Sequence, residues 1–409
     1  MNSQEKWKHN LWIAWLGNFF VGASLSLVVP FMSLYVEELG IRGHLVDLYA
    51  GIAVSSSALT AALLSPVWGA LADKYGRKPM MIRAAVAMTF TMGGLAFVPN
   101  VFGLIFLRLL NGVFSGYVPN STALIASQAP KKHSGYALGT LSTGVVAGTL
   151  MGPFLGGIIA QSLGIRNVFL LVSLFLFIVT LLTIFGIEED FQPLSKENQL
   201  SSKQLWQSLP HKSMLIGLFM TSMIIQMVAQ SIAPILTLYI RELGQRDNLI
   251  LVSGMIVSAM GVSSILSSSW MGKLGDKIGN HRLLLIALVY SFIIYILCAR
   301  ATSPLELGIL RFLFGLGTGA LLPGVSSLLN KLIPKEGISR IFSYNQTFFY
   351  IGGVLGPLMG SAISVRLGYH WVFYGTAGLV LINFIFLFIS FRKYLGVKEI
   401  RAGKNQFKM

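Results

Sequence analysis

Gly139-Thr-Leu-Ser-Thr-Gly144-Val-Val-Ala-Gly148-Thr-Leu-Met-Gly152-Pro153-Phe-Leu-Gly156-Gly157 is the stretch on which the reading of this chain turns. It follows the pattern G-x8-G-x3-G-P-x2-G-G inside a run without charge from Tyr136 to Ile165. Gly148, Gly152 and Gly156 lie four apart, so they share one helical face and strip it of side chains. A second helix can then approach closely in lipid. Pro153 removes one backbone donor and leaves a bend or weak point. Two readings stay open at this stage: a static packing face, or a smooth helix that moves against its neighbour.

The rest of the chain suits a membrane. Of its 409 residues 54% are hydrophobic and 11% charged, against about 25% charged in soluble domains. A spanning helix takes about 20 apolar residues. Twelve such segments fit, at 11–36, 46–71, 80–98, 101–128, 136–162, 166–187, 213–240, 249–274, 282–299, 304–330, 338–365 and 369–391. The expected fold is therefore an all-α membrane protein. The first segment runs too long and lacks a small-residue cleavage site, so it is a span and not a signal peptide.

The net charge of +16 would suggest nucleic acid in a soluble protein. Its distribution argues otherwise. With the N-terminus inside, the cytoplasmic parts with the adjoining span ends hold 22 of the 31 Lys and Arg, and the outer loops with theirs hold 6. The other three, Arg83, Arg108 and Arg311, fall within spans. That bias predicts a multi-pass protein of the cell membrane with both termini cytoplasmic, and no nucleic-acid partner. The tail from Arg392 to Lys408 also suits anionic lipid. Cys298 is the only cysteine, which rules out an intramolecular disulfide.

The chain repeats itself. Pro30-Phe-Met-Ser-Leu-Tyr35-Val-Glu-Glu38-Leu-Gly40 matches Pro234-Ile-Leu-Thr-Leu-Tyr239-Ile-Arg-Glu242-Leu-Gly244 at an offset of 204. The Gly69 to Gly76 loop matches Gly272 to Gly279 at 203, Arg108 matches Arg311 at 203, and Gly152-Pro153 matches Gly356-Pro357 at 204. Such a repeat predicts two pseudo-symmetric six-helix bundles about an axis along the membrane normal, sharing a central site. The expected division is 1–187 for the first bundle, 188–212 for a polar cytoplasmic linker, 213–391 for the second bundle and 392–409 for a basic tail.

The loop Gly69-Ala-Leu-Ala-Asp73-Lys74-Tyr-Gly76-Arg77-Lys78-Pro79 sets one carboxylate among cations. That suits both a topology anchor and a breakable latch, and Gly69 and Gly76 permit the tight turn. The fifth-span stretch, this loop and Arg108-x-x-Asn111-Gly112 together resemble signatures of the major facilitator superfamily, in particular its twelve-span drug–proton antiporters. The resemblance implies that Gly139, Gly148, Gly152, Pro153, Gly156 and Gly157 form the antiporter motif. It also implies that Asp73 caps the eleventh span as an anion at a helix start, joins Arg77 in a cytoplasmic gate, and has a weaker counterpart in Asp276.

Arg108 and Arg311 are cations in apolar spans, and such a charge costs at least about 2.5–3.5 kcal/mol at the bilayer centre. They either snorkel to an interface or, as the resemblance implies, serve proton coupling. No acidic residue falls at the centre of a span, so Glu306, shortly before Arg311, is the nearest carboxylate for that role, with Glu37, Glu38, Asp47 and Asp73 as alternatives. Arg83 reads as a further member of the cytoplasmic charge cluster.

For the shared pocket, Asn18, Asn111, Tyr117, Gln226, Gln230, Asn345, Gln346, Phe349 and Tyr350 supply polar and aromatic groups at helical spacing. Each is also a reasonable packing residue. Together they make apolar walls with few fixed charges, which suits amphipathic or weakly cationic molecules and not phosphates. The expected function is secondary active efflux of amphipathic drugs such as quinolones and dyes in exchange for protons, by a monomer in the bilayer. The alternative is a narrow-specificity sugar or metabolite exporter on the same scaffold. No nucleophile–base arrangement, metal-ligand cluster or P-loop is present in the sequence, so an enzyme, a metal and a cofactor are not expected.

Overall fold

A computed structural model describes residues 3–130, 133–190, 212–332 and 338–406. Among them there are helices and no strands. The chain begins with α1 (Ser3–Ser26), a 3₁₀ turn (Val29–Phe31) and the short α2 (Met32–Glu38). There follow α3 (Leu45–Tyr75), α4 (Arg77–Leu95), α5 (Val101–Val113), α6 (Tyr117–Gln128), α7 (Ser134–Leu163) and α8 (Ile165–Gly186). The second half holds α9 (Lys212–Ile232), the short α10 (Leu236–Glu242), α11 (Leu249–Ile278), α12 (Asn280–Cys298), α13 (Pro304–Leu332), α14 (Ile338–Leu367) and α15 (Tyr369–Gln406).

Eleven segments in the described residues are long and apolar enough to cross a membrane. The expected third span, α4, is helical in the right place but falls short, because its 19 residues include Arg77, Lys78 and Arg83. Large apolar side chains point outward, with Phe185 82%, Leu305 76% and Phe90 75% exposed. In water such a surface would aggregate; against acyl chains it is at home.

Three expected spans are interrupted. Pro30 and Pro234 each sit where a long helix gives way to a seven-residue one, α2 and α10, since proline cannot donate to the ladder. The fourth span breaks between α5 and α6.

The chain packs as two compact units. One runs through α8 and also takes in Ala233–Ser258; the other holds α9 and the chain from residue 259 onward. In the first unit α7 lies along α1. A Cβ at Gly148 would sit 2.0 Å from the Phe19 carbonyl oxygen, one at Gly152 3.1 Å from that of Ala23, and one at Gly156 2.6 Å from that of Leu27. The second unit repeats these contacts between α14 and α9: Gly352 against Met223 at 2.1 Å, Gly356 against Met227 at 2.5 Å and Gly360 against Ser231 at 1.7 Å. Every glycine and every partner is displaced by 204, so the repeat holds contact by contact. Gly157 meets a different neighbour, the start of α11, where its Cβ would lie 3.2 Å from Ile250 O; there Gly254 faces Pro153 O.

Helix contact through bare backbone leaves no room for a side chain. Gly148→Val is expected to lower stability by about 1–3 kcal/mol, the usual range for overpacking. Gly139→Ala on the same helix should be neutral, because a Cβ there meets nothing within 4 Å. Thermal unfolding of the detergent-solubilised protein distinguishes the two, and equal midpoints would remove the close contact from the account.

Candidate functional site

The break in the fourth span is organised around Gly116, whose φ of +127° interrupts the helix. Its counterpart at offset 203, Gly319, lies inside the unbroken α13. At the end of α5, Phe114 N donates to Leu110 O and Ser115 N to Gly112 O. The carbonyls of Val113, Phe114 and Ser115 then have no helical donor, which in lipid is costly. Side chains from neighbouring helices supply it. Trp68 Nε1 on α3 donates to Val113 O at 2.6 Å. Arg83 Nη2 on α4 donates to Phe114 O at 3.3 Å and to Ser115 O at 2.9 Å. The guanidinium also stacks on the Trp68 ring, with Cζ 3.4 Å from its centroid, a cation–π contact. Arg83 is thus a brace for the broken span, not a member of the cytoplasmic charge cluster.

Further along α5, Ser57 and Thr60 hydroxyls donate to Arg108 O at 2.9 Å and Leu109 O at 2.8 Å. Arg108 is only 4% exposed, and its Nε donates to Ala53 O of α3 at 3.2 Å. Asn111 Nδ2 donates to Thr91 at 2.9 Å. Tyr117 Oη pairs with Thr183 at 3.0 Å, and Ser121 Oγ donates to Asn18 Oδ1 at 2.8 Å. Asn18, Asn111 and Tyr117 are therefore buried in the first unit, each hydrogen-bonded to a different partner; Asn18 Nδ2 keeps no hydrogen-bond partner.

In the second unit Arg311 is also 4% exposed, but its surroundings are softer. Nη1 meets Met260 Sδ at 3.9 Å, the guanidinium lies 5.9 Å from the Phe373 ring, and Nε has no hydrogen-bond partner. Beside it is a cavity of about 180 Å³ lined by residues such as Gln226, Met260, Ser264, Ser291, Phe314 and Thr318, none of them charged. Gln230 is half-buried, as are Asn345, Phe349 and Tyr350, whereas Gln346 is exposed. Glu306 is exposed at the start of α13. Its carboxylate accepts from Thr302 N at 2.9 Å and Thr302 Oγ1 at 3.0 Å, while its N–H donates to Ser303 Oγ at 3.2 Å. That is a helix cap. Asp47, in the first turn of α3, is the acidic residue in the buried class among the described residues, at 5% exposure.

At the turn between α3 and α4, Gly76 takes a φ of +99°, and a Cβ at Gly69 would meet nothing within 4 Å. The side chains of Asp73 and Asp276 lie outside the described residues. Glu189, beyond the end of α8, caps α4: its carboxylate accepts from Arg77 N at 2.8 Å and Lys78 N at 2.7 Å. An anion on a helix start is favourable. Next to it Glu188 pairs with Lys6 at 3.1 Å, which holds its carboxyl below the usual carboxylate range.

The Major Facilitator Superfamily model matches residues 14–251 and 218–406. The Multi-drug resistance efflux pump PmrA of Streptococcus pneumoniae is 64% identical over 97% of this chain and 100% of its own length. The chain belongs to the Major Facilitator Superfamily. The Multidrug resistance protein MdtG of Escherichia coli is 47% identical over 95% of both chains. Among solved structures, the POT family transporter PepTSo matches with a TM-score of 0.79 at 11% identity, covering 96% of this chain and 98% of that one; this likeness concerns the fold. As a member of the superfamily the protein is a multi-span membrane transporter, not an enzyme. No cluster of three or more potential metal ligands occurs among the described residues.

The superfamily repeat makes one missed signal visible. At offset 203, Trp68 becomes Met271 and Arg83 becomes Ile286, while Asn111 and Thr91 become Phe314 and Ile294. The half that keeps the brace has the broken span; the half that lacks it has a continuous helix.

Arg83→Ala leaves the half-buried Phe114 and Ser115 carbonyls without donors, at up to about 1–3 kcal/mol each. It is expected to lower thermal stability by that order, with Trp68→Phe giving a smaller loss. A double-mutant cycle should show coupling, because the two side chains share one site. A stability unchanged by Arg83→Ala would refute the brace.

Proposed function

We propose that this transporter exports small amphipathic drug-like molecules, quinolones and dyes among them, in exchange for protons by alternating access. It does so as a monomer in the cell membrane, with both termini cytoplasmic. The observation that carries this reading is the full-length identity of 64% to a protein named as a multidrug efflux pump. The cavity supports it: its lining offers apolar surface, a polarisable Met260 and neutral hydrogen-bonding groups, with no charge to demand a charged solute. Gln226 lies on this wall. In the same proposal Asn18, Asn111, Tyr117, Gln230, Asn345, Gln346, Phe349 and Tyr350 contribute to substrate contact in the course of the cycle.

Arg108 and Arg311 are the fixed cations against which a proton-carrying carboxylate works. Asp47, at 5% exposure, is the carboxylate proposed for that part. It lies on α3, the helix whose Ala53 carbonyl accepts from Arg108. Glu306 remains in the proposal as the nearest carboxylate to Arg311 in sequence, although its oxygens are engaged in a cap. Asp73, Arg77, Gly69 and Gly76 form the cytoplasmic gate, with Asp276 as its second copy. Gly148, Gly152 and Gly156, with Pro153 and Gly157, supply the surface on which α7 slides, and Gly139 completes the antiporter motif outside that contact.

Inverted vesicles containing the protein should accumulate a quinolone or fluorescent dye when the lumen is acidified, and lose that uptake with an uncoupler. Movement of sugars with no movement of dyes would defeat the drug-efflux reading. Asp73→Asn should reduce uptake at least tenfold with normal membrane insertion; parent-like uptake removes Asp73 from the gate. Asp47→Asn should abolish proton-driven uptake while leaving solute exchange without a gradient. Glu306→Gln should do so only if Glu306, not Asp47, carries the proton.

A further inference from the structure

The repeated segments Pro30–Glu38 and Pro234–Glu242 are found in the same compact unit, because Ala233–Ser258 packs with the first half of the chain. Each ends in a seven-residue helix, α2 and α10, and each of these is followed by a glycine of positive φ, Gly40 at +92° and Gly244 at +96°. Glu37 and Arg241 occupy the same place in the two copies, separated by 204 residues. They also touch. Arg241 Nη1 donates to Glu37 Oε2 at 2.9 Å and Nη2 to Glu37 Oε1 at 2.6 Å.

Two equivalent positions can meet only on the axis that relates the copies, as in a two-fold dimer interface. Identical charges there would repel. The copies differ at this position, Glu in one and Arg in the other, and the result is a bidentate pair, the strongest geometry open to these side chains. Both side chains remain within reach of water, at 44% exposure for Arg241 and 32% for Glu37. Such a pair holds the helices in register yet opens without stranding a charge in lipid. Arg166 engages the neighbouring Glu38 at 2.6 Å and leaves Glu37 to Arg241.

One contact beneath the pair follows the same asymmetry. The Thr237 hydroxyl donates to the Pro30 carbonyl. Its counterpart, Ser33, is fully buried and its hydroxyl has no hydrogen-bond partner. The closed arrangement thus satisfies one copy and not the other, which suits a contact that forms and breaks.

We propose that Glu37 and Arg241 are the extracytoplasmic latch of the transport cycle: joined when the outer ends of the first and seventh spans are together, and broken whenever the protein opens outward. The transport part of this proposal rests on the alternating-access reading above.

Two measurements test it. In the first, Glu37→Cys and Arg241→Cys are combined and oxidised in vesicles; the only native cysteine, Cys298, is buried. Cross-linking is expected to cut dye transport at least tenfold relative to the same double variant before oxidation, with recovery on reduction, whereas the oxidant should not change the rate that each single variant shows before its addition. A cross-linked protein that transports at the parent rate overturns the latch. A parent protein that moves no dye overturns the efflux reading instead. The second measurement needs no transport. Ser33→Cys should react slowly with a membrane-impermeant maleimide added outside. Adding Arg241→Glu should speed labelling several-fold, and the exchanged pair, Glu37→Arg with Arg241→Glu, should slow it again. Equal labelling in all three backgrounds overturns the proposal.

Discussion

In hydrocarbon every backbone polar group must find a partner within the protein, and the fourth span of this transporter fails that requirement on its own. Gly116 turns the chain out of the helix, and the carbonyls from Val113 to Ser115 are left without donors. Trp68 and Arg83 close the deficit. The arrangement works in both directions. A guanidinium in this position is costly unless it is held by carbonyl dipoles and a ring face, and a broken helix is costly unless something donates to its end. Each defect makes the other tolerable. Arg108 then sits on α5, the helix that ends at the break, as a buried cation whose Nε donates to Ala53 O. A discontinuous span beside buried charge is where transporters place their working groups.

The two halves share backbone and differ in chemistry. Three glycine contacts are copied in place: α7 on α1 and α14 on α9 meet through the same six displaced positions, whereas the outlying Gly144 on Trp15 gives way to Phe348 in the second copy. Gly112 against Ser57 and Gly315 against Met260 continue the series at 203. What changes is the side chains placed on that scaffold. Ser57 donates to a carbonyl, whereas Met260 offers a thioether to Arg311. The Asn111–Thr91 hydrogen bond becomes an apolar position occupied by Phe314 and Ile294. The closest helix contacts leave little room for substitution, so three of them are kept in both copies; polar positions tolerate several solutions, so they diverge. The second unit consequently offers a neutral cavity where the first offers a braced hydrogen-bond network.

Much of this was legible before any coordinates. Hydropathy located the spans within a few residues, and a repeat offset of 203–204 anticipated the paired packing. Gly148, Gly152 and Gly156 announced a bare helix face by spacing alone. What periodicity could not show was where a span breaks, because Val101–Gln128 is long and apolar enough to read as one continuous span across Gly116. Arg83 looked like one more cation near a cytoplasmic end; its bond to Ser115 O depends on a turn that hydropathy does not register. Glu189 looked like linker charge, and only the fold brings its carboxylate onto the first turn of α4. Glu306 was chosen for its nearness to Arg311 along the chain, but a residue in the first turn of a helix turns readily to its own N-terminus. The pairing of Glu37 with Arg241 was visible as an aligned difference between the copies, and became a contact only when the copies were seen side by side.

A duplicated chain has one place where divergence is forced and not merely allowed. Positions away from the axis can keep the same residue in both copies, since they never meet their equivalents. A position on the axis meets itself, and a charge kept in both copies would oppose itself. Glu37 and Arg241 resolve that conflict by opposite charge; beside them the equivalent hydroxyls also part ways, Thr237 donating to Pro30 O and Ser33 keeping no partner. The same reasoning explains why the break at Gly116 occurs once. A second break at Gly319 would demand a second arginine and a second indole at Ile286 and Met271, two more polar groups to bury among apolar helices. With the brace confined to one half, the other half is free to keep α13 continuous and to line its interior with neutral, polarisable side chains.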